Sequence, residues 1–197
     1  MDSIYHDVQQ GTDEWFELRM GKFTCSVFAD LFSTPSTLNY KKVIYRAAFE
    51  RVTLKRPESF SNPYMDRGNE LEEDARHAYE IHTFNDVANG GFFEVDEWTG
   101  GSPDGLVGED GQIQIKCPAY NTAIEYLMKD RFPTTYKKQV QGELYVTNRE
   151  WCDFVSYSPH LKLFIIREYR DEGIIKEIKE KIEKVKWDVY KVIDKIK

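Results

Sequence analysis

Ser102-Pro103-Asp104-Gly105, followed ten residues after Asp104 by Gln114-Ile115-Lys116-Cys117-Pro118, is the densest chemical signal in the chain. A turn at Asp110-Gly111 separates the two segments and folds them into a β-hairpin. Side chains two apart on a strand share a face, so positions 114 and 116 lie together, and position 104 can join them at one end of the sheet. Asp104 and Lys116 then converge on one spot. A carboxylate at 104, a second at 114 and an ammonium at 116 would hold a divalent ion and orient a water for in-line attack on a phosphodiester. Two carboxylates are the usual minimum for Mg²⁺, which binds few protein oxygens. Position 114, however, is a glutamine. Taken alone, Asp104 between proline and glycine reads as a turn residue. Lys116 between Ile115 and Cys117 has no such plain reading, because lysine is seldom buried without a partner.

Outward from this hairpin the chain alternates helical and strand periodicity. Thr12 or Asp13 can cap a helix over Glu14–Met20, Gly21 can end it, and Thr24 or Ser26 can cap a second helix through Leu31. Ser36–Lys55 reads as a helix, Arg56–Tyr64 as a loop with two prolines, and Asp66–Ile81 as a further helix. Three strand-like runs follow, Gly91–Val95, Gly101–Val107 and Gln112–Lys116. Ala119–Lys129 and Thr134–Val146 read as helices, Trp151–Tyr157 and Leu161–Tyr169 as strands. Ile174, Ile178, Ile182, Val185, Val189 and Ile193 recur every three to four residues, which makes the end of the chain a long amphipathic helix. This order predicts an α/β fold with a mixed central β-sheet flanked by helices on both faces.

The 197 residues are 41% hydrophobic, enough for one sizeable core and too few for two, so one domain is expected. No stretch approaches the ~18 apolar residues of a membrane span, and the N-terminus lacks the basic and apolar segments of a signal peptide, which predicts a cytoplasmic protein without membrane contact. Cys25, Cys117 and Cys152 are far apart and lack C-x-x-C spacing, so they are expected as free thiols. The net charge of −7 excludes a protein that coats DNA through bulk positive charge. Any contact with DNA must be local, and the clusters Lys41, Lys42, Arg46, Lys137 and Lys138 are its candidates. Histidines 6, 77, 82 and 160 are scattered and carry no ligand spacing.

Pro103-Asp104, ten residues, and Gln114-Ile115-Lys116 together resemble the PD-(D/E)xK nuclease signature, with glutamine where an acidic residue belongs. Three more blocks in the same order resemble the phage alkaline exonucleases, the lambda exonuclease and YqaJ-like viral recombinase group. They are Trp15 through Arg19 and Gly21 with Thr24-Cys25-Ser26, then Arg67 through Glu72 to Arg76, and Tyr136 with Gln139-Val140-Gln141. The resemblance covers roughly residues 9–160 and implies a restriction-endonuclease-like core, with residues 1–197 forming a single nuclease domain that ends in the amphipathic helix at about 174–196.

It also implies roles. Asp104, the side chain at 114, the main-chain carbonyl of Ile115 and Glu72 would hold Mg²⁺ or Mn²⁺, up to two ions. Lys116 would position or activate the attacking water, and Gln141 would lie close to the scissile phosphate. Arg19, Ser26 and Ser102 would hold a terminal 5′ phosphate, for which a guanidinium fork and hydroxyls are suited, and Trp15 would lie near the DNA end. The implied activity is 5′-to-3′ digestion of one strand of linear double-stranded DNA by a ring-shaped homotrimer, beside a single-strand annealing protein, in the host cytoplasm if the chain is phage-encoded. The plainer readings are a solvated face for Glu72, a surface position for Arg19, a helix cap for Ser26 and core packing for Trp15.

Gln114 is nearly isosteric with glutamate, so the fold tolerates it, but it removes a charge where the ion must sit. By itself this predicts a chain about 100-fold slower than one with glutamate there. Two origins fit: a substitution made to keep DNA uncut in the site, favoured because Asp104, Lys116 and Glu72 are all kept, or a natural non-catalytic DNA-end-binding module. A CRISPR-associated nuclease of the same superfamily would carry a cysteine cluster that these three cysteines do not form.

Overall fold

A computed structural model describes residues 3–57 and 63–197, with the side chains of 63–67 and 69 outside that description. The middle of the expected Arg56–Tyr64 loop and the Arg67 side chain therefore lie outside the described residues. The chain order is β1 (Ile4–His6), α1 (Asp13–Arg19), β2 (Phe23–Thr24), a 3₁₀ turn at Cys25–Val27, α2 (Phe28–Leu31), α3 (Leu38–Thr53), α4 (Pro63–Thr83), β3 (Val87–Ala88), β4 (Phe92–Glu94), β5 (Thr99–Gly101), β6 (Gly105–Val107), β7 (Gly111–Lys116), α5 (Tyr120–Lys129), a 3₁₀ turn at Thr134–Tyr136, α6 (Lys137–Thr147), β8 (Trp151–Ser156), β9 (Phe164–Tyr169) and α7 (Glu172–Ile196).

The expected mixed sheet flanked by helices is present, divided in two. One sheet runs β3-β6-β7-β8-β9, and a smaller one runs β1-β4-β5-β2. β7 is antiparallel to β6 and parallel to β8. A parallel neighbour needs a crossover, and α5 and α6 supply it. The two faces of β7 carry different chemistry. Ile113 and Ile115 pack with Val155 of β8 against Ala75 and Tyr79 of α4. Gln112 and Gln114 turn to the opposite face, where Thr147 of α6 donates to Gln112 at 2.7 Å. Both glutamines are buried, which is why this strand reads in sequence as alternating although it is covered on both sides.

The run expected as one strand over Gly101–Val107 is two strands in different sheets. Gly101 ends β5 against β4, Gly105 opens β6 against β7, and Ser102-Pro103-Asp104 crosses between the sheets. Pro103 has no N–H to give a ladder, so pairing breaks there. The crossing is held close to the chain at Gly90, where a Cβ would stand 1.9 Å from the Pro103 carbonyl oxygen. Glycine is required for that approach.

Three helices start at a capping side chain. Thr12 accepts from the Trp15 N–H, Thr37 from Tyr40 and Asp171 from Ile174. The expected cap of the second helix is not made: Thr24 precedes the 3₁₀ turn without a side-chain cap bond, and α2 begins after Val27. Gly21 has φ of +71°, as expected of a residue that ends α1. The apolar face of α7 is buried at Ile175, Ile178, Ile182, Val185 and Val189, and the last four pack with α2, α3 and the smaller sheet. Among the described residues no helix is long and apolar enough to cross a membrane.

Candidate active site

The β6–β7 register pairs Gly105 with Ile113, so the residue before β6, Asp104, falls beside Gln114. The Asp104 N–H donates to the Ile113 carbonyl at 3.2 Å, and the Ile115 N–H donates to Asp104 Oδ2 at 2.6 Å. The main chain of β7 therefore fixes the carboxylate. Arg76 of α4 donates to the Asp104 carbonyl at 2.5 Å, and Gln10 to the Pro103 carbonyl at 3.2 Å. The Gln114 amide donates to Asp104 Oδ2 and lies 3.4 Å from the Ile115 carbonyl oxygen, so that carbonyl opens into the same space.

Asp104, Gln114, Ile115 and Lys116 line a cavity of about 420 Å³ together with Glu72, Trp15, Arg19, Ser26 and Ser102. Every site residue expected from the sequence is gathered here except Gln141. Gln141 is fully buried on α6, where it donates to the Tyr169 carbonyl at 2.7 Å and accepts from the Asp171 N–H at 2.8 Å. That ties α6 to the junction of β9 and α7 and leaves its amide nothing for a phosphate. The residue of the same block that does reach the cavity is Gln139, two positions earlier. Helical spacing turns residues two apart to different faces, so only one of the two glutamines could serve.

One end of the cavity is acidic. Glu72 is half-buried on α4, and burial together with the Asp104 charge pushes its carboxyl up to about 7. Asp104 is raised by burial, an effect opposed by Lys116, the Ile115 N–H and Arg76. Glu143 of α6, unremarked in the sequence, also lines the cavity, and burial followed by the Asp104 charge raises it to about 8. Three carboxyl groups thus face one enclosed volume, with Lys116 the lysine that lines it. A hard divalent cation is the partner that oxygen set suits. No three His, Cys, Asp or Glu side chains among the described residues are already gathered at ligand spacing. An ion here would be held by one or two carboxylates with a carbonyl and water, as suits Mg²⁺.

The other end is cationic and rich in hydroxyls. Arg19 stacks on Trp15 with its guanidinium carbon 3.9 Å from the ring centroid and donates to Thr24 Oγ1 at 3.3 Å. Thr24 Oγ1 lies 3.3 Å from Ser26 Oγ. Trp15 Nε1 donates to Ser102 Oγ at 2.7 Å, which links α1 to the crossing segment next to Asp104. Burial, with Arg46 nearby, lowers Arg19 to about 10, so it remains charged at neutral pH. A second cavity, of about 930 Å³, shares Gln10, Trp15, Glu72 and Asp104 with the first.

Sequence reading missed Gln10, Thr24, Arg76 and Glu143 as site residues. Two of these carried a signal: Arg76 stands four after Glu72, and Glu143 four after Gln139, the spacing that places helical side chains on one face.

A mixed sheet flanked by helices, with an aspartate at the mouth of a hairpin and a lysine two residues past the adjoining strand position, is the arrangement expected of the restriction-endonuclease-like nuclease class. The comparisons resolve this further: residues 14–150 match the YqaJ-like viral recombinase domain, and the chain belongs to that family. It is similar to an alkaline exonuclease of Laribacter hongkongensis, at 34% identity with a TM-score of 0.85 over 94% of this chain and 96% of that one. The same exonuclease in complex with dAMP gives 35% identity and a TM-score of 0.86 over the same shares. A phage-related exonuclease of Haemophilus somnus shares the fold, with a TM-score of 0.68 at 19% identity over 89% of this chain and 96% of that one. Among curated proteins none matches.

Proposed function

We propose that this chain is a Mg²⁺-dependent exonuclease, able to use Mn²⁺, that digests one strand of linear double-stranded DNA from its 5′ end for recombination by strand annealing. The observation that carries the reading is the single cavity joining a carboxylate–lysine end to a guanidinium–hydroxyl end. An end-on substrate presents the matching pair, a terminal phosphate and a scissile phosphodiester. The exonuclease of Laribacter hongkongensis that this chain resembles forms a complex with dAMP, a nucleoside monophosphate of the kind such digestion releases.

In this reading Arg19, with the Ser26 and Ser102 hydroxyls, binds the terminal phosphate, and Trp15 holds Arg19 in place from one face while fixing Ser102 by its indole N–H. Asp104, the Ile115 carbonyl and Glu72 are the metal-side oxygens. When bound, a divalent cation would supply the positive charge that offsets negative charge on the phosphodiester oxygens during attack. Lys116 orients the attacking water, and Gln139, in place of Gln141, is the glutamine that faces the reacting phosphate. A single nuclease domain across 1–197, a trimeric ring around the duplex, an annealing protein as partner and a cytoplasmic site of action go with this reading.

The second reading, a non-catalytic DNA-end-binding module, is favoured by Gln114, which takes a charge from the motif. Glu143 weighs against it by keeping another carboxylate in the cavity. Incubation with linear duplex labelled at the 5′ or the 3′ end in Mg²⁺ separates the two. Progressive loss of the 5′ label, abolished by Asp104→Asn, is expected; stable binding of ends with no release in Mg²⁺ or Mn²⁺ would establish the module instead.

A further inference from the structure

We propose that the carboxylate missing from position 114 is supplied by Glu143, so that α6 rather than β7 gives the divalent ion the acidic ligand that the motif sets beside Asp104. The inference rests on the nuclease reading of the cavity and adds a ligand to it.

Four observations converge on Glu143. It is 1% exposed, yet it lines the same cavity as Asp104 and Lys116, so its buried side chain faces the site and not the packing between helices. Its Oε2 meets no hydrogen-bond donor among the described residues. A buried carboxylate oxygen with nothing to neutralise it is costly, and such groups are kept where they are paired or ligate a metal. Its Oε1 accepts from Gln139 Nε2 at 2.9 Å, and the same nitrogen donates to Gln114 Oε1 at 2.7 Å. One amide nitrogen thus holds the oxygens of residues 114 and 143 within a few ångström of each other.

The hydrogen-bond order explains why position 114 carries an amide. Gln114 donates to Asp104 on one side and accepts from Gln139 on the other, and Gln139 in turn donates to Glu143. Asp104 and Glu143 are therefore the acidic ends of a chain with two amides between them. Glutamate at 114 could not donate to Asp104, and it would set three carboxylates in succession around one small volume. Glutamine at 114 keeps the number of carboxyl groups in the motif while moving one of them to α6, where a bound cation would hold it ionised.

α6 is built to bring Glu143 this close. At the preceding residue, Gly142, a Cβ would stand 2.3 Å from the Phe28 ring, so the helix sits against α2 at a distance only glycine allows. The ligand set so defined is the carboxylates of Asp104 and Glu143 with the Ile115 carbonyl, joined by Glu72 from α4 and completed by water. It is a hard, all-oxygen set that suits Mg²⁺ and Mn²⁺.

The test compares four forms of the full chain: as it stands, Glu143→Gln, Gln114→Glu, and the double exchange Gln114→Glu with Glu143→Gln. Mn²⁺ affinity is measured by titration calorimetry, and the metal-dependent rise in Tm is read against EDTA. The chain as it stands should bind Mn²⁺ and gain Tm. Glu143→Gln should bind about tenfold or more weakly and lose the gain, while its Tm in EDTA stays equal or rises, because an unpaired buried carboxylate has gone. The double exchange should recover the affinity, since the acidic ligand is then back on β7. Unchanged Mn²⁺ affinity in Glu143→Gln overturns the proposal, and so does a loss that the double exchange does not recover. Absence of 5′-to-3′ digestion in every form, with Mn²⁺ binding still dependent on Glu143, would sink the exonuclease reading and leave this ion site standing.

Discussion

Arg19 shows how much one side chain can carry. Its guanidinium lies flat on Trp15, makes one hydroxyl contact and forms no ion pair with another described residue, so most of its five donors are available to an incoming anion. A 5′-phosphorylated end should therefore be digested several-fold faster than a 5′-hydroxyl end, and Arg19→Ala should bring the ratio of the two rates close to one. Rates on the two matched duplexes check this, and an unchanged ratio in the variant would remove Arg19 from the phosphate site. Trp15→Phe should act differently: it keeps a ring beneath Arg19 but deletes the hydrogen bond to Ser102 at 2.7 Å. Loss of one such bond costs about 1 kcal/mol, a roughly fivefold effect on rate if it holds the crossing segment for catalysis. Individual residues were legible to the extent that a motif fixes their spacing. Asp104, Lys116 and Arg19 fell where the spacing put them, whereas Gln141, expected beside the scissile phosphate, faces away and Gln139 lines the cavity instead, a matter of which face of α6 meets it. Glu143 was invisible because its significance depends on a gap at position 114 across a tertiary contact.

At the level of elements, α7 is the clearest case of sequence dictating structure. Its apolar spacing predicted a buried stripe, and Ile178, fully buried against α2 and α3, lies at its centre. Ile178→Ala should destabilise the chain by about 2–5 kcal/mol through the cavity it leaves, measurable by urea denaturation. Ile196→Ala, at an exposed position near the end of the same helix, should change stability by less than about 0.5 kcal/mol. The joint between α3 and α7 also has a polar clamp, in which the Tyr40 hydroxyl donates to Asp188 Oδ2 at 2.6 Å. That bond and the Lys191 ammonium hold the Asp188 carboxyl below its ordinary 3.8. A carboxyl depressed in the folded state adds stability above its unfolded value, and that stability is lost as pH falls through the folded value. Asp188→Asn should therefore cost about 1 kcal/mol at pH 7, kept small by partial exposure, and the difference should shrink only below pH 3.8. Equal destabilisation at pH 7 and pH 2.5 would show the clamp to be one of shape, not charge. Elements that depend on distant partners were not legible: β1, β2 and β3 have two or three residues each, and only their registers with β4, β5 and β6 make them strands.

For the whole molecule the question is how a chain with net charge −7 engages a polyanion. Of the five cations expected on a DNA-facing surface, Lys137 pairs with Glu168, Lys138 with Glu177, and Arg46 lies 3.9 Å from Glu50. Lys41 and Lys42 alone are exposed with no ion pair to another described residue. On that expected surface one copy of the chain thus offers only these two unpaired cations to a duplex. A closed ring would answer this by gathering the same few cations from each copy around one axis. Such an assembly needs a surface that copies can share, and α5 presents one. Tyr120, Ile124 and Met128, at 72%, 43% and 80% exposure, stand four residues apart and form an apolar stripe along one face of the helix. A contiguous exposed apolar stripe is a candidate association surface. We expect light scattering to give the mass of three chains without DNA. The pair Tyr120→Lys with Met128→Lys should shift it toward the monomer while far-UV circular dichroism stays unchanged, because neither side chain is part of the core. Binding to duplex should then weaken and become less sensitive to salt, since the slope of affinity against salt counts the phosphates contacted at once. A mass that the double lysine variant leaves unchanged would take α5 out of the contact. A monomeric starting chain with salt-insensitive binding would sink the ring together with the charge argument that calls for it.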